Sequence, residues 1–158
     1  MEMKMSEQLR LLFLCTGNAC RSQMAEGWAN HFFPDTLAAT SAGVVKTVVD
    51  PKARELMAEA GVDISGQFSK HLSELESLDF DYVITLCDHA AQHCPVFPGQ
   101  AVVLHHPFPD PPQLARSLST QKAILDVYRE VRDAIREYIR NVQDELPEKQ
   151  PIEPPRLR

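Results

Sequence analysis

No apolar run in these 158 residues approaches the roughly 20 that a membrane span requires. The stretch Leu11 to Leu14 is too short for a signal-peptide core, and Met1 to Arg10 before it is polar. The expectation is a cytoplasmic protein. A basic excess is missing as well. Sixteen Lys and Arg stand against 22 Asp and Glu, for a net charge of −6, which excludes a nucleic-acid surface. A small anion stays open as a ligand, because one nest of amides with a single arginine holds an oxyanion inside an acidic chain. Internal repeats and an interdomain linker are both lacking, and the length suits one domain with an ordinary core. Only four cysteines are present. In a cytoplasmic chain they read as buried, catalytic, metal-bound or redox-active rather than as static disulfides.

What is present reads as alternating strands and helices. Leu9 to Leu14 and Tyr82 to Leu86 are continuous apolar runs that suit strands buried on both faces. Leu37 to Ser41 and Ala101 to Leu104 supply two more. A helix is expected from Ser22 to Pro34, with Ala25, Trp28, Ala29 and Phe32 on one face. A second starts at Asp50-Pro51, as N-cap and first-turn proline. A short one is expected over Ser69 to Ser77. The last carries one apolar stripe from Ile124 through Tyr128, Val131, Ile135, Tyr138 and Ile139 to Val142. This order predicts a single-domain α/β fold: a central, mostly parallel four-stranded sheet flanked by helices on both faces. The domain is placed at 1–146, with 147–158 a Pro-rich, charged, flexible tail. Ligands of such sheets bind outside the carboxyl ends of the strands, where Cys15 and Cys87 both fall.

Cys15 and Arg21 flank five residues between a strand and a helix. Such a segment curls so that successive N–H groups point at one centre, and the helix adds its N-terminal amides and positive dipole end. Thr16, Gly17, Asn18, Ala19, Cys20, Arg21 and Ser22 are therefore the oxyanion-binding candidates. Arg21 closes the ring as a bidentate clamp. Gly17 and Asn18 tolerate left-handed backbone. A thiol in this field is expected to ionise well below its ordinary value and to act as a nucleophile, with Ser22 stabilising its thiolate. Cys20 suits inward packing.

Cys87 and Cys94 are seven residues apart in a segment of helix-forming residues that ends at Pro95. On an intact helix that spacing puts their Cα atoms about 10.5 Å apart along the axis. A disulfide needs about 7 Å or less. Oxidation would have to unwind the helix, which makes the segment a candidate switch. Two inert half-buried thiols are the plain alternative. A metal site using His89 and His93 is a third, but four ligands on one short segment converge poorly on tetrahedral zinc, so no metal is expected.

Residues 15 to 27, Cys-Thr-Gly-Asn-Ala-Cys-Arg-Ser-Gln-Met-Ala-Glu-Gly, resemble the phosphate loop of the low-molecular-weight tyrosine phosphatases. They resemble still more the loop of their relatives, the thioredoxin-coupled arsenate reductases. Ser41-Ala42-Gly43, Asp50-Pro51-Lys52-Ala53 and Val83-Ile84-Thr85-Leu86-Cys87 extend the likeness, which covers about residues 9 to 142. The resemblance implies that Cys15 forms a thiol–arsenate adduct and that Cys87 then attacks Cys15. Cys94 resolves the product into a Cys87–Cys94 disulfide for thioredoxin, with no tightly bound cofactor. Glutaredoxin or mycothiol coupling occurs in related reductases. Asp110, on a Pro-flanked loop where both families keep an Asp-Pro, is the candidate acid. His105 and His106 nearby read as structural or exposed. Pro112 stands where phosphatases commonly carry an aromatic residue, which favours a small inorganic substrate over the alternative, a tyrosine phosphatase. A non-enzymatic oxyanion or redox sensor is a further alternative, against which Asp110 argues. Some such reductases hold potassium through Asn, Glu, Ser and Asp. Here Asn18, Glu26 and Ser41 match, and Lys70 takes the fourth place, where its ammonium either replaces the ion or is simply an exposed lysine. The chain is expected to be a monomer.

Overall fold

Four parallel strands run side by side, and their order sets where chemistry happens. The computed structural model describes residues 8–97 and 101–148. Strands β1 (Leu9–Cys15), β2 (Leu37–Gly43), β3 (Tyr82–Thr85) and β4 (Val102–His105) form one sheet in the order β2-β1-β3-β4. Every neighbouring pair is parallel, with Leu14 opposite both Ala42 and Thr85. The chain leaves β1 toward one edge and returns through β3 on its other side. The carboxyl ends of β1 and β3 thus form a topological switch point, where a doubly wound sheet opens a crevice.

The alternation of β1 divides the core in two. Leu11 and Phe13 pack with helices α1 (Arg21–Phe32), α2 (Pro51–Glu59) and α5 (Gln121–Arg140). Leu12 and Leu14 pack with Val83, Phe80 and Phe97 on the opposite face, together with Ala90 of the short helix α3 (Asp88–Gln92). All four β1 residues have no exposed surface, as a strand buried on both faces requires. The helix starts follow their sequence signals. Asp50 accepts from the Lys52 amide at 2.9 Å ahead of Pro51, and Thr120 accepts from the Ala123 amide at 3.1 Å.

Three expectations differ from the structure. Ser69 to Ser77 is no helix but a single 3-10 turn at Leu72–Glu74, because the backbone before it is committed elsewhere. The Lys70 carbonyl accepts from Gly43 and the Lys70 amide donates to Asn18, which pins this stretch beside β2. The last stripe breaks at Asn141, and Val142, fully buried, opens a separate helix α6 (Val142–Glu145). A five-residue helix α4 (Pro111–Ala115) lies where the sequence offered too few residues for a periodicity. Of the tail expected from 147, residues 149 to 158 lie outside the described residues. Pro147 itself accepts a 2.6 Å hydrogen bond from the Tyr82 hydroxyl. Among the described residues no helix is long and apolar enough to cross a membrane.

Candidate active site

The loop between β1 and α1 is held from behind, carbonyl by carbonyl. The Cys15 and Thr16 oxygens accept from the Val44 and Val45 amides at 3.3 and 2.9 Å. The Gly17 oxygen accepts from the hydroxyls of Thr47 and Ser69 at 2.6 and 3.0 Å. Asn18 and Ala19 are taken by the Gln23 side chain and the Asp50 amide, each at 2.9 Å. In a trans peptide the N–H points opposite its carbonyl, so a loop whose oxygens all face outward turns its amides toward one centre. Asn18 carries the left-handed turn, with φ of 51°. Its side chain donates to Ser22 Oγ at 2.8 Å and accepts from the Lys70 amide at 3.0 Å. Gly17 has no positive φ, contrary to expectation. Gly43, by contrast, is required by space: a Cβ there would meet Val45 O at 2.7 Å and Asn18 N and Thr16 O at 2.9 Å. Ser22 Oγ accepts from Asn18, which leaves its own hydroxyl hydrogen to donate.

Arg21 closes the loop as expected. Nη1 donates to the Phe108 carbonyl at 3.0 Å, which fixes the plane of the guanidinium. Nη2 lies 3.7 Å from Asp110 Oδ1, and Nε is buried with no partner. An unpartnered guanidinium edge is the kind that can accept a tetrahedral oxyanion with two parallel bonds. Asp110 precedes α4 at the N-cap position, yet its side chain makes no cap hydrogen bond, which keeps the carboxyl free for the site. Thr16, Arg21, Cys87, Phe108, Asp110 and Gln113 all line one cleft of about 360 Å³. Gln113, on α4, carried no sequence signal. Thr47 and Ser69, which brace Gly17, lie too far along the chain for the motif to point to them.

Behind the cleft wall the structure brings two thiols together. Cys15 and Cys87 pack in one buried cluster, and Thr16 Oγ1 lies 3.2 Å from the Cys87 sulfur. That sulfur also accepts from the Ala90 amide at 3.4 Å, as the N-cap of α3. The neighbouring Cys15 thiol pulls Cys87 down to about 5, helped by Thr16, the Ala90 amide and the Arg21 charge, against burial. In turn Cys87 pushes Cys15 well above the ordinary thiol value, and burial adds to it, against the pull of Arg21. The two sulfurs share one negative charge, so the pair loses its first proton easily and its second with difficulty.

The other cysteines are all free thiols. Cys94 lies just past α3, half-exposed, and burial raises its thiol. Cys20 packs inward. Burial, with the Asp50 and Asp110 charges, keeps it protonated. The Lys70 side chain is nearly buried, with Nζ 3.9 Å from Glu26 Oε1 and 3.5 Å from the Phe68 carbonyl. Ser41 donates to the same Glu26 oxygen at 2.7 Å. Burial raises the Glu26 carboxyl, while Ser41 and Lys70 oppose the shift. Among the described residues no group of three or more His, Cys, Asp and Glu side chains is placed to hold a metal.

A thiol at the centre of an amide loop, closed by arginine at the switch point of a parallel sheet, defines an oxyanion-handling α/β protein. The chain belongs to the low-molecular-weight phosphotyrosine protein phosphatase family, whose model matches residues 10–151. Among curated proteins it is 42% identical over 125 residues to an arsenate reductase of Halalkalibacterium halodurans, covering 79% of this chain and 88% of that one. Among solved structures, an arsenate reductase in the phosphate-binding state superposes with a TM-score of 0.69 at 31% identity, covering 87% of this chain and 98% of that one. A thioredoxin-dependent arsenate reductase of Corynebacterium glutamicum gives 0.61 at 29% identity, over 89% of this chain and 65% of that one.

Proposed function

We propose that this chain is an arsenate reductase of the cytoplasm, a monomer that draws electrons from thioredoxin. The observation that carries the reading is the packing of Cys15 and Cys87 in one buried cluster at the arginine-closed loop, with Thr16 Oγ1 3.2 Å from the Cys87 sulfur. A phosphatase needs one thiol. Reduction of arsenic(V) needs two electrons, and two thiolates acting in turn provide them. Arsenate sits on the loop amides and the Nε edge of Arg21. Cys15 attacks arsenic, and the departing hydroxide leaves as water on a proton from Asp110. Proton transfer from Cys15 to Cys87 delivers the thiolate to Cys15. Cys87 passes that proton to the Asp110 carboxylate, which has just given one up, and as thiolate attacks the Cys15 sulfur. The sulfur–arsenic electron pair stays on arsenic, which departs as arsenite, and a Cys15–Cys87 disulfide remains. Cys94 attacks Cys87, Cys15 leaves as thiolate, and the Cys87–Cys94 disulfide goes to thioredoxin.

The phosphate-binding relative and the thioredoxin-dependent relative support the oxyanion and the donor, respectively. No bound cofactor enters the scheme, since the thiols carry the electrons. Lys70, beside Glu26 and Ser41, serves in place of potassium. A slow aryl phosphatase activity follows from the shared loop. The test is arsenate-dependent NADPH oxidation with thioredoxin and thioredoxin reductase, for the parent and for Cys15→Ser, Cys87→Ser and Cys94→Ser. Turnover by the parent and loss in each variant upholds the relay. Hydrolysis of aryl phosphates with no arsenate turnover, and with Cys87 and Cys94 dispensable, makes the chain a phosphatase.

A further inference from the structure

Asp88 is the first residue of α3 and His105 the last of β4, and their side chains meet across the sheet end: Nε2 to Oδ1 is 2.9 Å. On its other side the imidazole is anchored, with Nδ1 2.8 Å from the hydroxyl of Thr85, which is almost wholly buried. A carboxylate only accepts, so Nε2 carries the hydrogen and the ring orientation is fixed from both ends. We propose that His105, acting through Asp88, is a positioning residue: a clasp on the first turn of α3 that sets how fast Cys94 reaches Cys87. The inference rests on the relay proposed above.

The clasp matters because of what else holds α3. At its two ends, backbone bonds at 3.1 Å run from the Ala91 amide to the Cys87 carbonyl and from the His93 amide to the His89 carbonyl. The Cys87 sulfur caps Ala90. Past the helix, Phe97 anchors the chain in the core against Phe80, with ring centroids 6.3 Å apart. Cys94 thus hangs between a fixed exit and a helix that keeps it from Cys87. Once Cys87 is bonded to Cys15 its sulfur is no longer a charged acceptor, and the cap on Ala90 weakens. The Asp88–His105 contact is untouched by that step. It is then the side-chain restraint left on the first turn when Cys94 must attack Cys87 and expel Cys15. In this thiol–disulfide exchange one S–S bond forms as another breaks, with no net oxidation. The ionised carboxylate at the helix start also favours the closed form through the dipole.

The experiment is rapid-quench single turnover of the reduced protein with arsenate, trapping free thiols by alkylation and assigning disulfides by mass spectrometry. The variants are His105→Ala, Asp88→Ala, their double, and Asp88→Asn, which keeps an acceptor for Nε2. Both single alanine variants are expected to shorten the Cys15–Cys87 lifetime by roughly two- to fivefold, the range of a partly exposed ion pair. The double should do no more than either alone, and Asp88→Asn should restore most of the parental lifetime. Arsenite release in a Cys94→Ser background should not change. Amide exchange at Ala91 and His93 should quicken by a similar factor. Unaltered lifetimes and exchange, effects that multiply in the double, or a slowed arsenite burst would each overturn the clasp. If no Cys15–Cys87 species appears even in the parent, the relay itself falls and the clasp falls with it.

Discussion

The most exposed consequence of the geometry is the titration of Cys87. Its main cause is the neighbouring Cys15 thiol, ahead of Thr16, the Ala90 amide and Arg21, and together they bring it from 9.0 to about 5. At pH 7 a thiol that titrates near 5 is almost wholly ionised, about a hundredfold more than one left at its ordinary value. Cys15→Ala removes the leading cause and keeps the others. The Cys87 midpoint should therefore climb, yet stop short of 9.0. Thr16→Val should raise it by less. The measurement is the rate of alkylation of Cys87, resolved by peptide mass spectrometry between pH 4 and 10. In the parent the rate should be flat above about pH 6 and should fall tenfold per pH unit below about 5. The sign for stability follows. Between about 5 and 9 the unfolded chain holds a proton that folded Cys87 has lost, so this contribution grows as pH rises and is lost as pH falls through about 5. The raised Cys15 opposes it only at higher pH, where the unfolded Cys15 thiol ionises and the folded one does not. A parental midpoint near 9, or one that Cys15→Ala leaves in place, would refute the shared charge.

Three further outcomes are expected. Gly43→Ala presses a methyl against three backbone atoms at 2.7 to 2.9 Å, which should cost about 1–3 kcal/mol in urea unfolding and weaken phosphate binding; an unchanged midpoint and affinity would show that the loop has room to yield. Asp110→Asn, with its carboxyl 3.7 Å from Arg21, should lower kcat by roughly 10²–10⁴ while KM for arsenate stays or falls, since the loss is of a proton donor and a repelling charge; a loss confined to KM would assign it to binding alone. The parent should turn over equally in sodium and potassium salts, whereas Lys70→Met, which leaves the buried Glu26 without its cation, should gain activity with potassium. A potassium requirement in the parent would remove Lys70 from that role.

What the sequence disclosed and what it withheld divide along contact range. The loop from Cys15 to Arg21 was readable because its geometry is written within seven residues. The sheet was readable because Leu11 to Leu14 and Val83 to Leu86 are apolar on both faces. The partnership of Cys15 with Cys87 was legible only through the family resemblance, since no local signal places β1 and β3 side by side across some 70 residues of chain. The pull of Arg21 on the Cys15 thiol was legible from the loop, whereas the opposing push of the distant Cys87 was not. Ser69 to Ser77 was expected to form a short helix, but Leu72, Leu75 and Leu78 cover the Leu12–Leu14 face while Lys70 and His71 stay bound to Gly43. His105 was read as structural or exposed because nothing in the sequence places the end of β4 against the start of α3.

Two segments with opposite mechanical demands meet at Cys87. The anion loop must hold its amides still, and it is braced by partners from outside the motif: Val44, Val45, Thr47, Ser69 and the Lys70 amide. None of these contacts involves α3. The switch segment must come apart, and it is five helical residues with a sulfur cap at the start and one side-chain clasp. Unwinding α3 therefore leaves every brace of the loop in place, so the site is ready for the next oxyanion as soon as Cys15 is returned to thiol. A fold that serves phosphate-ester hydrolysis with the loop alone acquires a redox cycle by adding thiols to the neighbouring strand end and its short helix. The sheet order β2-β1-β3-β4 is what makes β3 that neighbour.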